Sequence, residues 1–221
     1  MPRTCAAPGC PEGTSGYSTL CRQHKQAQRR HGSPTQRGVT SQELRPYVAL
    51  VDSRKAKNPN SDAWSILRGR WGVVVDAARA TLQRYSEGHA SQRAAIQASH
   101  HICNLADNVD PWEVISTAIA MVILQEQHPR RFTSDAAFDF QLVRRVLRLA
   151  PTNAGTYWDH KENRSRKVYR DVPPRVIRTL AVPLKEAFGA PGLMLAAREK
   201  QDVAKAHAVR IQLNAALGSL E

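Results

Sequence analysis

The sequence is short of acid, holds few cysteines and has no long apolar run. Against 32 Lys and Arg stand only 19 Asp and Glu, a formal charge of +13. The pI is near 10.2. A surplus of this size favours a polyanionic partner, most often nucleic acid, through phosphate contacts and counterion release. The most apolar stretch, VISTAIAMVIL at 114–124, has about half the roughly 20 residues that a membrane helix needs. It reads as a buried core helix, and no membrane partner is expected. Met1-Pro2-Arg3 is followed by no apolar run, so no export signal is read and a cytoplasmic, reducing compartment is expected. No phosphate-binding glycine loop, HExxH or GxSxG occurs, and no internal repeat is visible. Wholesale disorder is not expected either, because 42% of the residues are apolar.

What is present is unevenly placed. Residues 1–60 carry 10 Lys and Arg against 3 Asp and Glu, 61–128 carry 5 against 7, and 129–221 carry 17 against 9. Two basic ends therefore flank a slightly acidic middle, and phosphate binding would use the ends. Three of the four cysteines fall in the first 21 residues. In a reducing compartment, clustered thiols point to metal rather than to disulfides.

The spacing is Cys5-x4-Cys10-x10-Cys21-x2-His24. Zinc takes four borderline-soft ligands in a tetrahedron, and short Cys-x2-His loops let two of them converge without strain. Pro8-Gly9 supplies a turn that directs Cys10 back toward Cys5, and Gly13 and Gly16 allow the return. Cys21 and His24 begin a helical stretch, one turn apart and able to face one ion. His31 is an alternative to His24 as fourth ligand, although the Cys-x2-His spacing favours His24. Residues 1–40 hold few large apolar side chains and need a staple, so metal-binding energy would become folding energy. With four ligand positions filled, such a zinc has no open site for catalysis.

The combination Cys-x4-Cys, Leu-Cys-x2-His and Arg-Arg-His-Gly-x-Pro runs through Cys5, Cys10, Cys21, His24, Arg29, Arg30, His31, Gly32 and Pro34. It resembles a small zinc-binding module common in proteins of bacteriophages and other mobile elements. That module often lies beside HNH homing-type nucleases or in DNA-binding accessory proteins. The likeness covers about residues 5–34. It implies one structural zinc and a DNA-associated protein of a mobile element, without fixing an activity. A nuclease of this type needs two histidines on a compact ββα unit. None is read here, because SHHIC (99–103) lies in a helical run and His160 stands alone.

The remainder reads as mostly helical: a zinc-stapled module (1–51), a basic linker (52–62) and a larger α-helical domain (63–221), with one β-hairpin as in a winged helix. Ser61 or Asp62 caps a helix ending near Gly88, and 91–107 continue helically. Asp110-Pro111 opens a helix through Gln127, and Ser134 or Asp135 opens the next. On that last helix Gln141, Arg144, Arg145 and Arg148 lie opposite the apolar stripe and read as a cationic outer face. TYW and KVY around a polar tip fit a hairpin at 151–172. Pro173-Pro174 opens a helix that Gly189-Ala190-Pro191-Gly192 closes, and a final helix runs from about Leu193 to Leu217.

Two basic clusters are candidate phosphate contacts. Arg22, Lys25, Arg29, Arg30 and Arg37 follow the metal ligands. Arg144, Arg145, Arg148, Lys161, Arg164, Arg166, Lys167 and Arg170 follow later, interleaved with Tyr157, Trp158 and Tyr169. These rings either serve the cationic patch or pack the inner face of the hairpin. His100, His101, Cys103 and Asp107 invite a second metal site or a Cys/His dyad, with His100, Cys103 and Asp107 on one helix face, but a lone buried Cys is usually a small hydrophobe. The expected function is a non-catalytic, zinc-containing DNA-binding regulator or accessory protein. A factor binding host protein is the alternative, and a nuclease the more distant one. Self-pairing through an exposed part of the 110–128 helix stays open.

Overall fold

The computed structural model describes residues 3–218, so Met1, Pro2 and 219–221 of the expected module and helical domain lie outside the described residues. Seven helices and one hairpin follow in order: α1 (Arg22–His31), α2 (Ser41–Lys57), α3 (Asp62–Ser86), α4 (Arg93–Asn108), α5 (Pro111–Gln127), α6 (Asp135–Leu147), β1 (Ala154–Asp159), β2 (Arg164–Tyr169) and α7 (Pro174–Gly218). The chain is thus mostly α, with a Cys/His cluster at its N-terminal end and a single two-stranded antiparallel ribbon.

Local chemistry sets the boundaries. The Ser61 hydroxyl accepts from Ala63 N–H, Asp110 accepts from Trp112 N–H, and Ser134 accepts from Ala137 N–H. Each satisfies an amide that the first turn leaves orphaned. Thr40 and Glu43 form a reciprocal capping box on α2.

The centre of the molecule is α5. Every residue from Val114 to Leu124 is buried, and α2, α3, α6 and α7 all pack against it. A helix that is apolar all round can be stable in water only when sheathed in this way. Its buried stretch has no exposed face, while Asp110, Pro111 and Glu113 at one end and Glu126, Gln127 and His128 at the other are exposed.

Three expectations are corrected. First, 52–57 is not linker. Helix α2 runs unbroken to Lys57, and Leu44 and Val51 lie in the main core with α5. The polar, basic run is part of that core helix, with Arg54 paired to Glu199 and Asp202 of α7 and Lys55 over the Trp112 ring. The chain breaks only at 58–61, where Asn58 closes α2.

Second, Gly189-Ala190-Pro191-Gly192 does not close a helix. Helix α7 is continuous through Pro183 and Pro191. A Cβ on Gly192 would lie 2.7 Å from Val122 Cβ, so this glycine permits close approach to α5 instead of a turn. Pro191 cannot donate to the Ala187 carbonyl. Arg70 Nη1 donates to that oxygen at 3.2 Å instead. By length and composition α7 is the one described helix apolar enough to cross a membrane, with mean hydropathy 1.2 over its best window. Its inner face, including Val176, Ile177, Leu180, Leu184 and Phe188, belongs to the core.

Third, the cationic side of α6 is not an outer face. Gln141 and Arg145 are buried, and Arg144 is largely covered. The end of α1 and the segment before α2 lie over them. The helix before the hairpin therefore lacks the free cationic surface that a recognition helix of a winged-helix protein presents.

Candidate metal centre and nucleic-acid interface

The N-terminal module is a small knot of backbone hydrogen bonds. Thr4 and Gly13 form an antiparallel bridge, Cys5 N–H donates to Glu12 O at 2.9 Å, and Ala6 N–H donates to Thr19 O at 2.8 Å. Cys10 N–H donates to Ala7 O at 3.1 Å, closing the turn through Pro8 and Gly9, whose φ is +72°. Proline followed by a glycine at positive φ is the chemistry a type II turn requires. This fold carries Cys10 back to Cys5, and Cys21 sits at the N-cap of α1 with His24 one turn on.

The donor atoms of Cys5, Cys10, Cys21 and His24 all lie within 4.8 Å of one another. His24 Nδ1 is 3.4 Å from Cys5 Sγ and 3.3 Å from Cys21 Sγ, while Cys10 Sγ and Cys21 Sγ are 4.0 Å apart. Four donors converging on one point form a site that can hold a metal ion. Burial pushes the Cys5 thiol up, but the amides of Cys21 and Ala7 and the His24 ring outweigh it, leaving a pKa of about 6. Glu12 N–H favours the Cys10 thiolate, yet burial and the neighbouring thiols hold its pKa above the usual value. The Cys5 thiolate is favoured and the Cys10 thiolate disfavoured by its neighbours, and a cation between the sulfurs would relieve that crowding of negative charge.

His31 is excluded as the alternative ligand by its position. Its Nδ1 lies 3.1 Å from Gln141 Nε2, at the joint between α1 and α6. Burial and the Arg144, Arg148 and Arg30 cations lower its pKa, which keeps the ring neutral. Gly32 ends α1 with φ +79°, and a Cβ there would meet the Ala136 carbonyl oxygen at 2.8 Å. That glycine is needed twice, for the left-handed cap and for the contact with α6.

The joint absorbs much of the second basic cluster. Asp171 accepts from Arg30 Nε at 3.3 Å and from Arg144 Nη1 at 3.5 Å. Arg144 also donates to the Arg30 carbonyl, and Arg145 donates to Ser41 Oγ at 3.0 Å. The Arg148 guanidinium stacks over Tyr169 at 4.9 Å from the ring centre. Buried Gln36 ties the connecting segment down, accepting from Thr133 N–H and donating to Arg37 O. In the hairpin, Arg164 pairs with Glu162, and Arg166 with Asp159 and Glu162. Arg30, Arg144, Arg145, Arg148, Arg164 and Arg166 therefore serve the structure, whereas Arg22, Lys25, Arg29, Arg37, Lys161, Lys167 and Arg170 are exposed and make no ion pair among the described residues.

No protein-family model, curated protein or solved structure matches this chain.

One feature escaped the sequence reading. Arg22, Lys25 and Arg29 line a cleft of about 520 Å³ whose far wall is the start of α7, with Pro174 and Arg178. No carboxylate lines it. Arg178 is separated from α1 by about two thirds of the chain, so only the fold brings the four cations together. The other candidates stay apart. Cys103 is half-buried, with burial raising its thiol pKa, and Asp107 pairs with Arg79 at 3.4 Å. The elements β1, β2 and α7 follow in ββα order, as the hairpin and the helix opened by Pro173-Pro174 imply. His160 lies in the exposed turn of the hairpin, and the first two turns of α7 contain no His, Asp or Glu.

Proposed function

We propose that the protein is a non-catalytic, intracellular, zinc-containing DNA-binding factor of a phage or other mobile element. The observation that carries this reading is the α1–α7 cleft: Arg22, Lys25, Arg29 and Arg178 face one space with no acidic lining. Arginine and lysine converging on one groove suit successive phosphates. The zinc fixes α1, and so fixes the register of those cations. Its assignment rests on donor chemistry and spacing. A tetrahedral zinc with bonds of about 2.3 Å to sulfur and 2.0 Å to nitrogen has edges of roughly 3.5–3.8 Å; His24 Nδ1 lies 3.3 and 3.4 Å from two sulfurs, Cys10 and Cys21 sulfurs are 4.0 Å apart, and all four donors fall within 4.8 Å. The ion would be structural, because protein donors fill all four positions.

The test is fluorescence anisotropy of a labelled duplex across a salt series, on protein carrying one zinc. The logarithm of affinity is expected to fall steeply with the logarithm of salt, by about 0.9 per phosphate contact. Replacing Arg22, Arg29 and Arg178 by Ala is expected to flatten that slope by two to three units. Absence of binding at low salt overturns the reading. It would then pass to a host-protein factor, which is favoured by an apolar groove between α3 and α7 where Ile66 is 56% and Met194 75% exposed.

A further inference from the structure

The hairpin that reads as a wing carries its aromatic rings on the outside. Tyr157 is 47% and Trp158 49% exposed, and Val168 is 49% exposed. A ribbon whose rings packed inward would bury one face, and this one buries neither. Exposed tryptophan on a two-stranded arm costs solubility and adds little to a fold. A surface of this kind calls for a partner.

The two faces differ in a way that selects the partner. In an antiparallel pair, directly opposed residues share a face, and the faces alternate along each strand. The register sets Tyr157 opposite Arg166, Asp159 opposite Arg164 and Gly155 opposite Val168. On that face, both arginines are already neutralised by Asp159 and Glu162. The other face pairs Trp158 with Ser165, Thr156 with Lys167 and Ala154 with Tyr169. It contains no carboxylate, and Lys167 makes no ion pair among the described residues. At its foot Arg148 lies over Tyr169. One face thus offers an indole, a free ammonium and two hydroxyls, with a guanidinium–phenol stack at its base.

From this asymmetry we infer that the Trp158 face of the ribbon binds single-stranded polynucleotide. Trp158 stacks on an unpaired base, and Lys167 holds the phosphate beside it. An indole needs an exposed base face, which an intact duplex hides and a single strand supplies, and stacking is tolerant of sequence because every base has a π-face. Lys167 stands diagonal to Trp158, about 7–8 Å away, on the scale of one nucleotide. The inference rests on the proposed nucleic-acid function and adds a second site to it: the cleft grips backbone, and the ribbon takes unpaired bases. Such a pairing suits a junction where duplex meets single strand.

The experiment compares labelled oligothymidylate, the corresponding oligouridylate and a duplex of equal length, on the zinc-loaded full chain. Trp158→Ala is expected to weaken single-strand binding roughly tenfold or more and to leave duplex affinity within about twofold. Trp158→Phe, which keeps a stacking ring, is expected to recover most of the loss. Lys167→Ala is expected to lower the single-strand salt slope by about one phosphate's worth, near 0.7. Equal DNA and RNA affinities fit recognition through base and phosphate alone, and a preference for one names the source. Unchanged single-strand affinity in Trp158→Ala overturns the inference, as does an equal loss on duplex. Neither result touches the cleft, whose failure shows differently, as no duplex binding at low salt by the unsubstituted protein.

Discussion

The N-terminal knot and the helical body are held together by opposite means. In α5 a run of eleven consecutive residues, Ile115 and Ile119 among them, is buried, and Phe140, Leu180 and Phe188 belong to the same core. In the knot the buried apolar set is Cys5, Ala7 and Cys21, with Cys10 and Leu20 partly covered. Three of those five are thiol donors of the candidate metal centre. The body has enough apolar burial to fold by hydrophobic packing. The knot has almost none, so its order depends on what its donors bind. The difference also explains why the joint between them is polar. His31 meets Gln141, Gln36 meets Thr133 and Arg30 meets Asp171 there, while Val39 adds an apolar anchor in the main core.

Removing the metal should break this symmetry most completely. Structural zinc contributes on the order of 10 kcal/mol in small zinc modules, more than the knot can replace. Cys21→Ser, or a strong chelator on the unsubstituted chain, is expected to abolish amide protection in residues 5–24. Protection in 114–124 should stay at its full value. Hydrogen exchange read segment by segment decides it. If α5 loses protection together with the knot, the two regions form one cooperative unit and the contrast is wrong.

The reverse experiment has a smaller effect. Phe188 is fully buried and packs near Trp71, with ring centres 6.5 Å apart. Phe188→Ala should cost about 3–5 kcal/mol through lost burial and a cavity. The melting temperature of the body should fall by about 10 °C, given roughly 2–4 °C per kcal/mol for a chain of this size. Zinc stoichiometry, measured by atomic absorption after dialysis at room temperature, should stay at one per chain. Loss of zinc in that variant would show that the knot leans on the body.

The same contrast decides what was legible in the sequence. The metal donors are read from spacing because the knot is local: Cys5 to His24 needs only a turn, a return and one helical step. The caps at Ser61, Asp110 and Ser134 are local too, and each begins its helix as the sequence indicates. What escaped was set by contacts across the chain. The basic run at 52–57 looks like a linker until α2 is packed on α5. The glycines and prolines at 189–192 look like a stop until Val122 is found against Gly192. Arg144, Arg145 and Arg148 look like an outer face because charge normally lies outside, yet Arg144 is taken up by Arg30 and Asp171, Arg145 by Ser41 and Arg148 by Tyr169. Arg178 joins the cleft only once α7 meets α1. Side chains whose partners lie a hundred residues away leave no periodic trace.

The finest test concerns the strap between the two regions. Glu43 completes the capping box of α2 and also holds Arg131, whose guanidinium donates to Glu43 Oε2 at 3.0 Å and to the Arg37 and Gly38 carbonyls. The Arg131 hydrogen bonds hold the Glu43 carboxyl below its usual value of 4.5, against a burial effect in the other direction. A carboxyl depressed in the folded state contributes stability that is complete above its unfolded value. That contribution disappears as pH falls through the lower folded one. Glu43→Gln keeps the cap, since Gln serves in a capping box, and removes only the charge. Both partners are partly exposed, so the difference from the unsubstituted protein should be about 1 kcal/mol at pH 7. Urea titrations at pH 7, 4.5 and 3 should show that difference intact at the first and shrinking below the second. A gap that does not change with pH would mean that Arg131 is held by the two carbonyls, and that the strap needs no charge from α2.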